Sequence, residues 1–317
     1  MSRSPDADPD PEDPAKAAPE EDQGFEESEL QGDLAQLGGI DIEDLDEEDE
    51  GEEEDEDEPG ENEKAETGAP AAEETPTSPV PAKTKKNDEE EPPGPDVPAP
   101  PMKALRDALE WAFEKEDVPA ELLDRFAEHA HAMLDANRRV NLTAILDPKE
   151  VAAKHYLDSW RVTQMMSLMG RKVVDLGTGP GFPGLPIAMA EPHCKVVLID
   201  STKKKSDFNE ELIARLKVKN AEAHWGRAEE YLEKNRVDVV LVRAVSSVRE
   251  NVRTLRKVRH SLKDLIMLKG ASWSREVRAG EREAERLGFK LDTVWEHELP
   301  EEMGKRAILV YRAPGAL

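Results

Sequence analysis

Residues 173–188 read VVDLGTGPGFPGLPIA: a β-rich apolar run, an acid, a turn holding four glycines, and a second apolar stretch. A strand that ends in such a turn and opens a helix lets a ligand approach the backbone closely, with the helix N-terminus behind it. Outward from this loop, short β-rich runs alternate with segments long enough for crossover helices. The runs are KVVDLG, KVVLID, AEAHWG, VDVVLVRA and DLIMLKG. That alternation is the sequence form of a mostly parallel sheet covered on both faces. At the end the order changes, because FKLDTVWEHELP is followed after the turn-like EEMGK by AILVYR with no helix between them. The last two strands should therefore pair as a hairpin, giving a seven-stranded α/β sheet whose last strand is antiparallel.

Two ligand classes suit the loop. Gly179, Gly181 and Gly184 satisfy the G-x-G-x-x-G dinucleotide spacing, and Asp200 stands at the end of the next strand, where a ribose-binding acid belongs. Asp175 favours the other class. A carboxylate two residues before the first glycine is poorly placed beside a pyrophosphate and well placed for an ammonium. Pro180 and Pro183 remove two amide donors that phosphate would use. S-adenosylmethionine offers an ammonium, a sulfonium and a ribose and no phosphate, so Asp175 with Gly177, Gly179 and Gly181 suits its methionine end and Asp200 its sugar. An NAD-type oxidoreductase stays open as the competing reading.

Ahead of the sheet, Leu105, Leu109 and Phe113, then Leu122, Phe126, Ala130 and Met133, follow helical spacing. Asp147-Pro148-Lys149-Glu150 offers an N-cap acid, a proline at the first helical position and a glutamate three residues on, announcing a third helix that runs to about Met166. The first hundred residues differ in kind. They hold 37 acidic against 6 basic side chains and 15 of the 24 prolines, so they carry −31 while the rest of the chain carries +3. Too few large apolar groups are present there to offset the entropy of ordering. Residues 1–101 are thus expected to be a disordered acidic, proline-rich tail and linker, residues 102–169 a helical subdomain, and residues 170–317 the ligand-binding domain.

No apolar run approaches the roughly 20 residues that span a bilayer, and the N-terminus has no signal-like apolar region, so no membrane partner and a cytoplasmic location are expected. Cys194 is the only cysteine, which excludes an internal disulfide and a cysteine-based zinc site; no metal is expected.

Beyond the glycine loop, several separate stretches carry a family resemblance: NLTAI (141–145), KHYLDS (154–159), Asp200-Ser201, GRAEE (226–230), RAV (243–245), LKG (268–270) and HELP (297–300). From about Lys103 to Arg312 the chain resembles the RsmG, or glucose-inhibited division protein B, family of bacterial 16S rRNA guanine-N7 methyltransferases. The resemblance implies a Rossmann-like class I methyltransferase fold, S-adenosylmethionine as cofactor, and 16S rRNA, the small ribosomal subunit or its assembly intermediate as partner. It carries cofactor contacts onto Gly177 and Phe182, onto Ala228 and Glu229 near the adenine, and onto Arg243. An ordinary first-turn helix acid is the plain alternative for Glu229. Val242 stands where the family commonly has serine, and Lys204-Lys205 where it has lysine-arginine. A noncatalytic ribosome-assembly protein is the third reading.

Guanine N7 carries an in-plane lone pair and no proton, so its methylation needs no general base, and no catalytic acid or base is expected. Catalysis then reduces to in-line placement. Charge passes from cofactor to guanine, so Arg243 must be partnered, by the cofactor carboxylate or an RNA phosphate. Asn141 is expected to order the loop beside the cleft. Candidate phosphate contacts are Arg138, Arg139, Lys203, Lys204, Lys205, Arg249, Arg253, Arg256, Lys257, Arg259 and Lys269. His155 reads equally as an RNA contact or as a hydrogen-bonded core histidine.

Overall fold

The computed structural model describes residues 93–315. The acidic tail and most of the linker therefore lie outside the described residues. Two helices come first, α1 (Met102–Ala112) and α2 (Ala120–Val140), with the expected leucine and phenylalanine faces buried. Next is the expected third helix, in three pieces: α3 (Pro148–Val151), a π-helical turn (Ala152–Leu157) and α4 (Asp158–Met165). Asp147 caps it, accepting from the amides of Lys149 and Glu150 at 3.0 Å. The reciprocal half of a capping box does not form, because Glu150 receives Lys154 Nζ at 2.7 Å instead.

The remaining elements alternate: β1 (Lys172–Leu176), α5 (Gly184–Ala190), β2 (Lys195–Asp200), α6 (Lys203–Arg215), β3 (Ala221–Trp225), α7 (Ala228–Lys234), β4 (Val239–Arg243), α8 (Val248–Thr254), β5 (Asp264–Lys269), α9 (Trp273–Leu287), β6 (Lys290–Glu298) and β7 (Lys305–Arg312). The sheet order is β3-β2-β1-β4-β5-β7-β6, parallel except for β7, which pairs antiparallel with both β5 and β6. This is the seven-stranded Rossmann-like arrangement expected from the sequence.

Alternation along the central strands divides the core. Val173, Val196, Leu198, Val239, Leu241 and Ile266 face the layer containing α1, α2, the π-helical turn, α5 and α6. Val174, Val197, Val240, Val242 and Leu265 face α7, α8 and α9. Both faces are covered, which is why these strands read as nearly continuous apolar runs. From β1 the chain moves to β2 on one side, whereas β4 leads to β5 on the other. The carboxyl ends of β1 and β4 therefore flank the switch point, the crevice where open α/β sheets bind ligands. Among the described residues no helix is long and apolar enough to cross a membrane.

Candidate functional site

At the β1 side of the crevice, Asp175 is wholly buried beneath the glycine turn. Its Oδ2 accepts from the Thr178 hydroxyl at 2.6 Å and the Gly184 amide at 2.8 Å. Its Oδ1 has no partner, and burial pushes the carboxyl up to about 6 against the pull of those two bonds. Gly184 permits this closeness, since a Cβ there would stand 2.8 Å from Asp175 Oδ2 and 2.5 Å from Leu198 Cδ2. Gly179 is the opposite case. Its φ is +56°, and a Cβ would meet nothing within 4 Å, leaving open space above the turn.

Asp200, at the tip of β2, accepts the Gly179 amide at 3.0 Å on one oxygen and the Thr202 amide at 2.8 Å on the other. Asn209 of α6 donates to the Gly179 carbonyl at 2.8 Å. The other amides are also engaged within the fold. Gly177 and Thr178 donate to Ile199, Gly181 and Phe182 to Thr178, and Leu185 to Gly181. With Pro180 and Pro183 carrying no N–H, no amide from Gly177 through Leu185 is left to cradle a diphosphate. The orphaned Asp175 oxygen, the open space at Gly179 and the remaining lone pairs of Asp200 fit a cofactor with an amine and a sugar.

Beyond β3, Ala228 is buried and Glu229 half-buried at the start of α7, next to Gly226, whose amide donates to the Asp200 carbonyl at 3.0 Å. Lys203 and Lys204 are exposed and Lys205 half-buried in the first turn of α6; Lys203 pairs with Asp207.

At the β4 side a cleft of about 490 Å³ is lined by residues from four parts of the chain, among them Lys154, His155, Asp158, Arg243, Lys269 and Glu276. Its wall is the π-helical turn, an irregularity that recurs at functional sites. Arg243 Nη1 donates to the Lys154 carbonyl at 2.8 Å, its Nη2 lies 3.0 Å from His155 Nδ1, and its guanidinium sits 5.1 Å from the centre of the Phe182 ring. Thus Arg243 is partnered by the protein itself, where the sequence argument called on cofactor or RNA. Burial lowers the Arg243 pKa, while the Asp158 and Asp175 carboxylates raise it.

His155 is a buried, hydrogen-bonded histidine inside the cleft wall. Its ring stacks on Phe182 with centroids 4.6 Å apart, and Phe182 also stacks on His129 at 4.9 Å. His129 Nε2 lies 2.9 Å from the Pro180 carbonyl, an acceptor only, so Nε2 carries the proton. Burial drives the His129 pKa down to about 4.

Two expectations come out differently, those for Lys269 and Asn141. Lys269 is no surface cation: it is buried, donating to Glu276 at 2.7 Å and to the Ser246 carbonyl at 2.6 Å. Arg138 is held by Asp96 of the linker, while Arg139 is exposed. Asn141 terminates α2 in the left-handed conformation, but the loop is ordered by Asn137, whose Oδ1 accepts from the amides of Leu142 and Thr143 at 2.6 and 2.8 Å.

Sequence reasoning missed Asn137 and His129, which lie on the buried face of α2 and read as ordinary helix positions. It also passed over the pair Asp158–His297 at 3.2 Å. Both members lie inside motifs quoted for the resemblance, KHYLDS and HELP, so the joint presence of those motifs was the available signal. A second cavity of about 440 Å³, lined by Arg171, Asp238, Lys263, Asp264 and Arg312, lies at the other end of the strands, where its charges pair with one another. Among the described residues no three His, Cys, Asp or Glu side chains group as metal ligands.

The family described as rRNA small subunit methyltransferase G matches residues 122–303. Ribosomal RNA small subunit methyltransferase G of Solibacter usitatus is 33% identical over 189 residues, covering 59% of this chain and 88% of that protein. Its namesake in Clostridium novyi is 30% identical over 220 residues, covering 66% and 89%. The solved structure of a SAM-dependent methyltransferase from Aquifex aeolicus matches with a TM-score of 0.39 at 17% identity, over 53% of this chain and 94% of that one.

Proposed function

This chain belongs to the rRNA small subunit methyltransferase G family, and from that premise we propose that it methylates N7 of a guanine in 16S rRNA, presented by the small ribosomal subunit or its assembly intermediate. S-adenosylmethionine is its cofactor and, when bound, supplies a methyl group activated by the adjacent sulfonium. The observation that carries the reading from this chain's own residues is the amide accounting at the glycine turn. Every N–H from Gly177 to Leu185 is spent inside the fold, which disfavours a dinucleotide and suits a ligand recognised by carboxylates.

In this reading Asp175 and the Gly177–Phe182 turn hold the methionine end, Asp200 the ribose, and Ala228-Glu229 the adenine. Arg243 stands at the junction with the cleft where the guanine enters. No residue need remove a proton, because N7 has none. The protein's task is to exclude misaligned approaches and to keep Arg243 from opposing the charge that moves onto the guanine. The Asp158 and Asp175 carboxylates, whose fields favour the Arg243 cation, do the latter. Alignment of two bound reactants can supply on the order of 7–11 kcal/mol. Arg139 and Lys203–Lys205 are the proposed phosphate contacts.

The test is transfer of labelled methyl from S-adenosylmethionine to undermethylated small subunits, followed by mapping of the modified nucleoside. The expected outcome is label at N7 of one guanine. Label on another base, or none with the cofactor bound, overturns the proposal.

A further inference from the structure

We propose that His155 is a positioning residue for methyl transfer: its neutral imidazole fixes Arg243 at the cleft by accepting a hydrogen bond at Nδ1, while Nε2–H ties the ring to Thr143. This rests on the reading of the cleft given above, and the experiment below separates the two.

Hydrogen-bond chemistry assigns the tautomer. A guanidinium only donates, so the contact between Arg243 Nη2 and His155 Nδ1 at 3.0 Å requires a bare Nδ1. The proton is then on Nε2, 3.1 Å from Thr143 Oγ1, which accepts it. That same oxygen accepts the Ile145 amide at 3.0 Å. Thr143 is itself clamped by Asn137, whose Nδ2 donates to the Thr143 carbonyl at 2.9 Å and whose Oδ1 accepts the Thr143 amide. A chain of bonds thus runs from the α2 terminus through loop 141–145 to the end of β4.

The ring plane is fixed as well, by its stack on Phe182 at 19° between planes. The charged and titratable groups facing the imidazole are Arg243 from β4, His129 from α2 and Lys154 from its own turn, and each disfavours its protonation. Burial acts the same way, holding the pKa well below the usual histidine value. A side chain kept neutral, planar and doubly bonded is an acceptor built for one partner, and that partner lines the cleft.

The two ring nitrogens can be replaced separately. Asparagine carries its amide oxygen near the Nδ1 position, whereas glutamine reaches the Nε2 position. In the full chain, His155→Asn should keep kcat within about 3-fold of wild type, while His155→Gln and His155→Leu lose at least about 30-fold, with KM for small subunits changing much less than kcat. Melting temperatures of the asparagine and glutamine variants should be similar, which a purely structural role would translate into similar activities. Thr143→Val, a variant gentler to the fold that removes the same ring bond, should lower kcat by no more than about 3-fold in the wild type and add little in the His155→Asn background, where that bond is already absent.

Equal losses for the asparagine and glutamine variants, or additive losses for the Thr143 and His155 changes, overturn the inference while leaving the methyltransferase reading intact. A wild-type protein that transfers no methyl group at all overturns both.

Discussion

Between β1 and α5 the candidate site is held by backbone: a turn whose amides are all internally bonded, braced from below by Asp175 and from the side by Asp200. At the ends of β4 and β5 it is held by side chains drawn from distant segments, with Arg243, His155, Thr143, Asn137 and Phe182 linked by hydrogen bonds and ring stacking. The difference teaches where each half is vulnerable. A backbone cradle fails when its geometry is obstructed and takes the fold with it; a side-chain lattice can lose one member, and with it activity, while the fold remains.

The largest expected effect tests the second half of that statement. Arg243→Ala should lower kcat/KM by roughly 100-fold or more, about 2.7 kcal/mol of transition-state stabilisation, with the fold retained in circular dichroism. Near-wild-type turnover would remove Arg243 from the site.

Next comes the pH dependence of stability, read as the difference between wild type and His129→Leu. With its folded pKa lowered to about 4 from 6.5, His129 stays neutral while the unfolded chain takes up a proton. Wild type should therefore lose stability as pH falls from about 6.5 toward 4, by about 2.5 kcal/mol at pH 4.5 relative to the variant. Asp175, raised from 3.8 to about 6, acts in the opposite direction, gaining stability as pH falls through that interval. It is common to both proteins and cancels in the difference. Parallel urea-melt stabilities across this range would contradict the assignment of a buried neutral His129.

The backbone cradle is probed by a pair of changes. Gly184→Ala forces a methyl against Asp175 and Leu198 and should cost about 1–3 kcal/mol of folding stability. Gly179→Ala meets no atom, so its penalty is mainly the left-handed backbone, about 1 kcal/mol, and its main effect should be weaker cofactor binding. Calorimetric titration with S-adenosylmethionine beside thermal melts distinguishes them; equal effects on both readouts would erase the contrast. Smallest is Lys203→Gln on α6. Its exposed bond to Asp207 contributes under about 1 kcal/mol, so stability should hardly move. The salt dependence of RNA binding should flatten by about one unit of log–log slope.

The same contrast explains what could be read from sequence. The glycine turn, the strands and the Asp147 cap are local, since each is decided by residues within a few positions of one another, and each was legible. Asp175 and Asp200 could be placed at strand ends because those ends are predictable once the strands are. The cleft was legible only in parts. Arg243 and His155 drew notice through short motifs, yet their bond spans 88 residues, and no local pattern states that Nδ1 faces a guanidinium. His129 and Asn137 occupy the buried face of α2, where periodicity registers burial without saying which polar atom is used. Lys269 read as a cation for RNA because charge is visible in sequence, whereas its partner Glu276, contributed by the following helix, is visible only in the fold.

In the proposed function these two halves meet as one methyl-transfer site across the β1–β4 switch point. A crystal structure of the full chain with S-adenosylhomocysteine tests it most directly. The amine should lie by Asp175, the ribose on Asp200, and the thioether sulfur should face the cleft beside Arg243. A ligand seated in the cavity by Arg171 and Arg312, or one whose sulfur faces away from Arg243, would contradict it.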